Sequence, residues 1–446
     1  MDSTQTQTQS DATPPDTDED FTVLIAGGGV AGLEAILALR EAGPPSLRIE
    51  VLAPAAEFTL APLSIVEPFG GDEAPTVDLA AFCAEHGATF TQAGLAEIWP
   101  GQQRVLTDDG SELPYDALLL CIGARRQTVL PEALSFGGGG DSERLGELVR
   151  NAVAAGAGRL SFVVPDEISW PLPLYEIALQ AADRLRNTTV EVSFQTSEPT
   201  PLHPFGPDAS KKVETIMKEA GIHLSCGESF ASGSGAELQA DWIVTIPRLE
   251  VPEIPGLPQA THGFVPIDAR MRVDGADRVW AVGDVTWSPI KQGGIAAQQA
   301  DVAAADILAE AGVEIEVPAY APVLRAALMT ADGPFYLRSG TDADGGQRAP
   351  LWWPPAKVAG RLLAPYLAER LDPTIAKDEM LDLQADEGRD VDHAEALELA
   401  LQWADIDAAQ GQYRRALHWM DIAGGLNLVI PAAYREKSRK WRQELR

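Results

Sequence analysis

The chain is 446 residues long, 45% hydrophobic and 22% charged, with 66 acidic side chains against 34 basic ones and a formal net charge of −32. That length exceeds what one hydrophobic core serves, so two or three domains are expected. A surface this negative repels phosphate backbones and anionic headgroups, which excludes nucleic acid as a partner and leaves membrane contact at most peripheral.

Residues 1–20, MDSTQTQTQSDATPPDTDED, hold six acids and no base around no apolar core, and read as a disordered acidic tail rather than a signal peptide. Ordered structure is predicted from Phe21. FTVLIAGGGVAGLEAILALREAG is an apolar strand, a glycine turn and a helix that stops at Gly43; LRIEVLAP is the next strand. Residues 72–123 mix short strands with one helix and end in the apolar strand DALLLCIGA, after which FGGGGD at 136–141 reads as a flexible linker. Between residues 145 and 250 strand and helix alternate again, which argues for parallel sheets covered by helices. More strands and a long helix follow from Gly263 to Gly312, then the Trp- and Pro-rich APLWWPPAKVAG. From His393 the chain is helical by period, two helices meeting around Gly411 as a packed hairpin. The terminal YREKSRKWRQELR carries six bases and two acids. It reads first as a solvated helix end, and second as a dock for an acidic surface or lipid.

Cys83, Cys121 and Cys226 are widely spaced and form no CxxC pair, and the six histidines include no HExxH, so neither a disulfide framework nor a metal centre is indicated. No apolar run approaches the roughly 18 residues of a spanning helix, and the expectation is a cytoplasmic protein.

The stretch VLIAGGGVAG sets Gly27, Gly29 and Gly32 in GxGxxG register between a strand and a helix. Gly27 permits the tight turn, Gly29 lets backbone approach a pyrophosphate, and Gly32 lets helix and strand pack; the anion then sits on the helix N-terminus at Val30 and Ala31. The acid that normally binds the ribose hydroxyls would fall near Ala53 and is missing; Glu57 is the nearest substitute. Two later strands end at Gly123 (LLLCIGA) and at Gly283 and Asp284 (VWAVGDVT), and SPIKQGGIAAQQADVAA then opens a helix with Gly294 and Ile295 behind Lys291.

These motifs in this order resemble the two-dinucleotide-binding flavoproteins, the superfamily of FAD/NAD(P)-binding pyridine nucleotide-disulfide oxidoreductases. With SWPLPLYEIALQ and LWWPPAKVAG they look like its branch of sulfide:quinone reductases, flavocytochrome c sulfide dehydrogenases and type II NADH dehydrogenases. The resemblance implies an α/β protein of two three-layer Rossmann-like domains plus a mostly helical C-terminal domain. The FAD domain would be split in sequence into residues 21–135 and 253–330, with the second Rossmann-like domain at 141–252 and the C-terminal domain at 331–446. It implies FAD as cofactor, with Asp284 on the ribityl chain and Gly283 allowing close approach. Lys291, as the catalytic candidate, would stabilise charge at the flavin's pyrimidine edge together with the helix dipole.

The second domain departs from that family. Where a glycine fingerprint would cradle NAD(P)H, this chain has PDEISWPLP: three prolines remove N–H donors, Asp166 and Glu167 repel phosphate, and Trp170 fills the space. The thiols of a sulfide relay are also missing. Ser169 or Trp170 holds one expected place, no cysteine follows Cys226, and Cys121 reads as a buried inert thiol. The expected function is an FAD-dependent two-electron oxidoreductase with a small-molecule donor and acceptor. Trp352 or Trp353 could line a quinone channel or simply close a domain junction. A type II-like NAD(P)H:quinone diaphorase and a non-enzymatic flavin-binding sensor stay open as alternatives, and a homodimer is an option.

Overall fold

A computed structural model describes residues 21–166, 168–228, 239–260, 263–339, 357, 360–371, 393–426 and 428–445. The acidic tail, Glu167, Trp352 and Trp353 lie outside the described residues.

Two five-stranded parallel sheets organise the molecule. In the first the order is Val279–Ala281, Ala117–Leu120, Thr22–Ala26, Arg48–Ala53, Thr89–Gln92. The central strand is apolar throughout Val23–Ala26 and fully buried, as expected of a strand covered on both faces. Helix α1 (Val30–Ala42) follows it, and α2 (Leu79–Glu85) leads into the edge strand. The strand Val279–Ala281 completes this sheet only after the whole second sheet has been built, so the first unit is split in sequence.

The second sheet repeats the plan: Leu134–Ser135, Trp242–Thr245, Ala157–Val164, Thr189–Thr196, Ile222–Cys226. Its helices are α3 (Ser142–Ala155), α4 (Leu172–Leu185) and α5 (Pro207–Glu219). In both sheets the two strands that follow the central strand in sequence extend one way and the next lies on its other side; the outermost strand on that side comes last in the first sheet and first, as Leu134–Ser135, in the second. The order reverses beside the central strand, where a crevice opens at the strands' carboxyl ends.

FGGGGD is not a free linker. Phe136 is buried, Gly137 N–H donates to Asp141 Oδ2 at 2.9 Å, and residues Gly139–Asp141 wind directly into α3. Arg126 lies against Gly137 and Gly138: a Cβ on Gly137 would stand 2.6 Å from Arg126 Cδ. Glycine here serves close packing rather than mobility.

Helix α6 (Gly293–Glu310) packs on α1 behind the first sheet, and the hairpin Arg325–Thr330/Gly333–Arg338 lies against α4, where Met329 N–H donates to Glu176 Oε1 at 2.9 Å. Helix α7 (Leu363–Leu371) is anchored by Glu34 of α1, whose two oxygens accept from Leu362 and Leu363 N–H at 2.8 and 2.7 Å. Burial, with the charge of Asp301 adding to it, pushes the Glu34 carboxyl up to about 8.

The C-terminal hairpin is formed by α8 (His393–Ala409) and α9 (Tyr413–Gly425), joined edge-to-face through Trp403 and Trp419 at 4.6 Å. Trp419 Nε1 donates to the buried Asp407 at 3.0 Å, and a third helix, α10 (Ala432–Glu444), packs on α9. His418 of α9 meets Trp287 at 5.5 Å, which docks the module onto the segment following Gly283 and Asp284.

Candidate functional site

The first glycine turn divides its work among three residues. Gly27 has φ +121°, and a Cβ there would stand 2.2 Å from Cys121 O; a Cβ on Gly32 would stand 2.2 Å from Gly27 O. Both are closed by backbone and serve packing. Gly29 has nothing within 4 Å of a Cβ position, so its open side is the cavity. Gly29 is also the N-cap of α1, offers no side-chain cap, and is followed by a first turn without acids. The helix therefore presents unpaired N–H groups at Val30 and Ala31, which line the cavity, and nothing of like charge competes with an anion.

Sheet order explains why distant motifs converge. Strands Val279–Ala281, Ala117–Leu120 and Thr22–Ala26 are neighbours, so their carboxyl ends bring Gly283–Asp284, Gly123 and Gly29 to one rim. Gly283 has φ +76° and donates its N–H to Gln299 Oε1 at 2.7 Å, fixing the turn that presents Asp284. Asp284 lines the cavity, and among the described residues its carboxylate accepts no hydrogen bond from protein. Burial raises its pKa, opposed by the charges of Lys291 and Arg126. The carboxylate is half-buried and open to the cavity, so it is an acceptor that donors on a ligand can reach.

Lys291 also lines the cavity, but its ammonium is committed. Nζ donates to Asp284 O at 3.2 Å and to Thr286 O, and lies 3.8 Å from the Phe264 ring centre. Burial pulls it down to about 7. The side chain clamps the loop that carries Asp284. Gln292 caps α6 by accepting from Ile295 N–H at 3.1 Å, which satisfies that one donor of the helix start internally. Gly293 rather than Gly294 or Ile295 reaches the cavity wall. Glu57 is exposed, stands opposite Asp78 in a short two-stranded antiparallel sheet and is not on the wall, whereas its neighbours Phe58 and Thr59 are. Cys121 is buried against the cavity, and burial drives its thiol far above the usual range, which keeps it protonated.

The opposite wall belongs to the second unit. Ile168, Ser169, Trp170, Leu172 and Pro173 line the same cavity, whose volume is about 400 Å³. Helix α4 starts with Pro171 as N-cap and Pro173 in its first turn, and Leu174 N–H bonds to Pro171 O. Few donors remain there for a phosphate. Behind this turn Glu198, just past the second strand, accepts from the Tyr175 hydroxyl at 2.8 Å and Thr196 Oγ1 at 3.2 Å. Burial pushes the Glu198 carboxyl up to about 7. Trp170 meets Phe205 at 5.9 Å, so the crevice of this sheet is filled by its own side chains.

Sequence reasoning missed two residues on the cavity wall. Glu176 of α4 is fully buried and holds Met329 N–H and Lys357 Nζ through Oε1, while Oε2 has no partner. Burial raises the Glu176 carboxyl and lowers the Lys357 ammonium, and their mutual attraction opposes both shifts. The only hint was a lone acid inside the apolar helix LPLYEIALQAA.

No family model matches the chain, and no curated protein matches it by sequence. Solved structures match its fold. The sulfide:quinone oxidoreductase of the hyperthermophilic bacterium Aquifex aeolicus superposes with a TM-score of 0.64 at 19% identity, over 71% of this chain and 83% of that one. A ferredoxin reductase from Rhodopseudomonas palustris gives 0.54 at 19% identity, covering 71% and 82%. An NAD-dependent persulfide reductase from A. fulgidus gives 0.52 at 17% identity, covering 72% and 64%. The α/β architecture with two Rossmann-like units is thus the architecture of these reductases.

Proposed function

We propose that the chain is an FAD-dependent oxidoreductase with a single dinucleotide site, passing two electrons from a small, largely apolar donor other than NAD(P)H to a small acceptor such as a quinone. The observation that carries the reading is one cavity joining an uncapped helix N-terminus, the open side of Gly29 and the unpartnered Asp284 to an apolar wall from the second unit. These residues suit FAD: Gly29, Val30 and Ala31 would hold the pyrophosphate, and Asp284 would accept from ribityl hydroxyls. The flavin, when bound, supplies the two-electron chemistry, and the protein supplies binding, orientation and electrostatics.

Within this reading Lys291 is a positioning residue, since its ammonium clamps the Asp284 loop through two carbonyls. Glu176 and Lys357 place a buried ion pair on the donor side of the wall, with Glu176 Oε2 left without a partner. The second unit supports exclusion of a nicotinamide nucleotide, because its helix start lacks donors and its acid at the second strand, Glu198, is already bonded. A protonated Cys121 gives no thiolate for sulfide chemistry.

The test is an anaerobic titration of the purified protein. The expected result is bound FAD, identified by mass after release, that is not bleached within seconds by NADH, NADPH or sulfide but is reduced by a member of a panel of neutral apolar donors. A preparation that neither contains FAD nor takes it up removes the proposal, and rapid bleaching by NADH transfers it to the diaphorase reading.

A further inference from the structure

We propose that the pocket grips a flavin only as far as its phosphate, so that the site accepts flavin mononucleotide (FMN) as well as FAD, with Leu79 and Ala53 setting that choice. The inference rests on the flavin reading and concerns the half of the dinucleotide beyond the N-terminus of α1. In a fold of this kind an acid near the end of the second strand accepts from the adenosine ribose hydroxyls. In this chain the second strand, Arg48–Ala53, ends on Ala53, which has no polar side chain to offer.

The space beside Ala53 is also filled. Leu79, the first residue of α2, is 1% exposed and lies across the glycine turn. A Cβ on Gly28 would stand 2.4 Å from Leu79 Cδ1 and 3.4 Å from the Ala53 methyl, whereas a Cβ on Gly29 would meet nothing within 4 Å. The border between closed and open therefore falls between two adjacent glycines, at the start of α1. On the closed side Ala53 is buried, and the cavity wall takes no residue from Arg48–Ala53 or from the edge strand Thr89–Gln92.

Hydrogen bonding divides the pocket at the same place. On the open side the Asp284 carboxylate faces the cavity and accepts from no described residue. At the ends of the second and edge strands the polar side chains are spent on the protein's own backbone. Asp78 accepts from Ala81 N–H at 2.7 Å as the N-cap of α2, Asp108 Oδ1 accepts from Gly94 N–H at 2.9 Å, and Gln92 Nε2 donates to Pro54 O at 3.3 Å. FMN consists of the isoalloxazine, the ribityl chain and one phosphate, the parts that Asp284 and the end of α1 would serve. The adenosine of FAD gains no hydrogen bond from the side chains at the second strand's end, so it adds little to affinity.

Calorimetric titration of the full chain, freed of flavin, with FMN and with FAD tests this. The two dissociation constants are expected to lie within about tenfold of each other, because a hydrogen bond from the ribose to a charged acceptor, worth about that factor or more, is missing. Leu79→Ala/Ala53→Glu opens the slot and supplies the acceptor, and should shift the preference toward FAD by at least about tenfold relative to wild type. A circular dichroism melt shows whether the double variant folds; the wild-type comparison stands without it. Wild type binding FAD more than about tenfold tighter than FMN overturns the proposal and leaves the flavin reading standing. A folded double variant with the wild-type preference overturns it as well. A protein that binds neither compound removes the flavin reading too.

Discussion

After Ala26 and after Val164 the chain leaves the central strand of a five-stranded parallel sheet and turns into a helix, at the same point of the same strand order. The first turn has a glycine open to the cavity and a helix end with nothing capping it. At the second there is a proline at the N-cap, another in the first turn, and a tryptophan whose ring leans on Phe205. Both turns border one cavity, so they act as the two sides of a single site: one side shaped to receive an anion, the other shaped to be a wall. The same strand–turn–helix unit therefore carries opposite roles, and the roles are set by which backbone N–H groups remain free.

The largest expected effect comes from closing the receiving side. Gly29→Val places a side chain in open cavity space, so the protein should fold with an unchanged melt and purify without bound FAD. Gly27→Ala and Gly32→Ala, by contrast, drive a Cβ to 2.2 Å from backbone oxygen and should lower stability itself. Asp284→Ala removes an acceptor that faces the cavity and should give a colourless preparation with a melt close to that of wild type, since the half-buried carboxylate holds no hydrogen bond from the described residues. Full FAD occupancy in either Gly29→Val or Asp284→Ala, measured by the visible absorbance ratio, would remove the assignment of that side.

Smaller in effect is a change behind the wall. Glu198 is raised to about 7 in the folded chain against 4.5 ordinarily, so the fold binds its proton more tightly than the unfolded chain does. The stability this contributes is complete below about pH 4.5 and is lost as pH rises through 7, a span of up to about 3 kcal/mol. Glu198→Gln holds the neutral form at every pH. Denaturant midpoints should therefore fall between pH 5 and pH 8 in wild type and stay flatter in the variant. Parallel curves would mean that the hydrogen bonds from Tyr175 and Thr196 outweigh burial and keep Glu198 ionised.

Both sides of the comparison were legible in the sequence because each depends on local chemistry. Glycine register, proline content and an apolar strand declare what a turn can donate before any tertiary contact forms. Asp284 was legible through its position after a strand, and the structure adds that among the described residues none donates to its carboxylate. Glu176 and Lys357 were not legible. They lie 181 residues apart and meet only because the hairpin and the C-terminal segment fold onto α4. The packing role of Gly137 and Gly138 was hidden for the same reason: the partner, Arg126, comes from a separate strand. Lys291 illustrates a subtler limit. Its place beside the cavity followed from spacing, while the commitment of its ammonium to two loop carbonyls depends on the conformation of residues 284–286.

The smallest expected effect is the sharpest check of the comparison. If Trp170 alone kept a nicotinamide nucleotide out, Trp170→Gly would open the second turn, and NADH would begin to reduce the protein. The turn has further obstacles that this change leaves in place: Pro171 and Pro173 still donate nothing, Leu174 N–H still bonds to Pro171 O, and Glu198 is still held by Tyr175. Binding a pyrophosphate needs several N–H groups converging on it, and removal of bulk supplies none. Trp170→Gly should therefore enlarge the cavity and change the affinity for apolar donors, with no NADH binding by calorimetry and no bleaching in stopped flow. Reduction by NADH in this variant would show that the wall is steric rather than chemical, and that the two turns differ by one side chain instead of by their backbones.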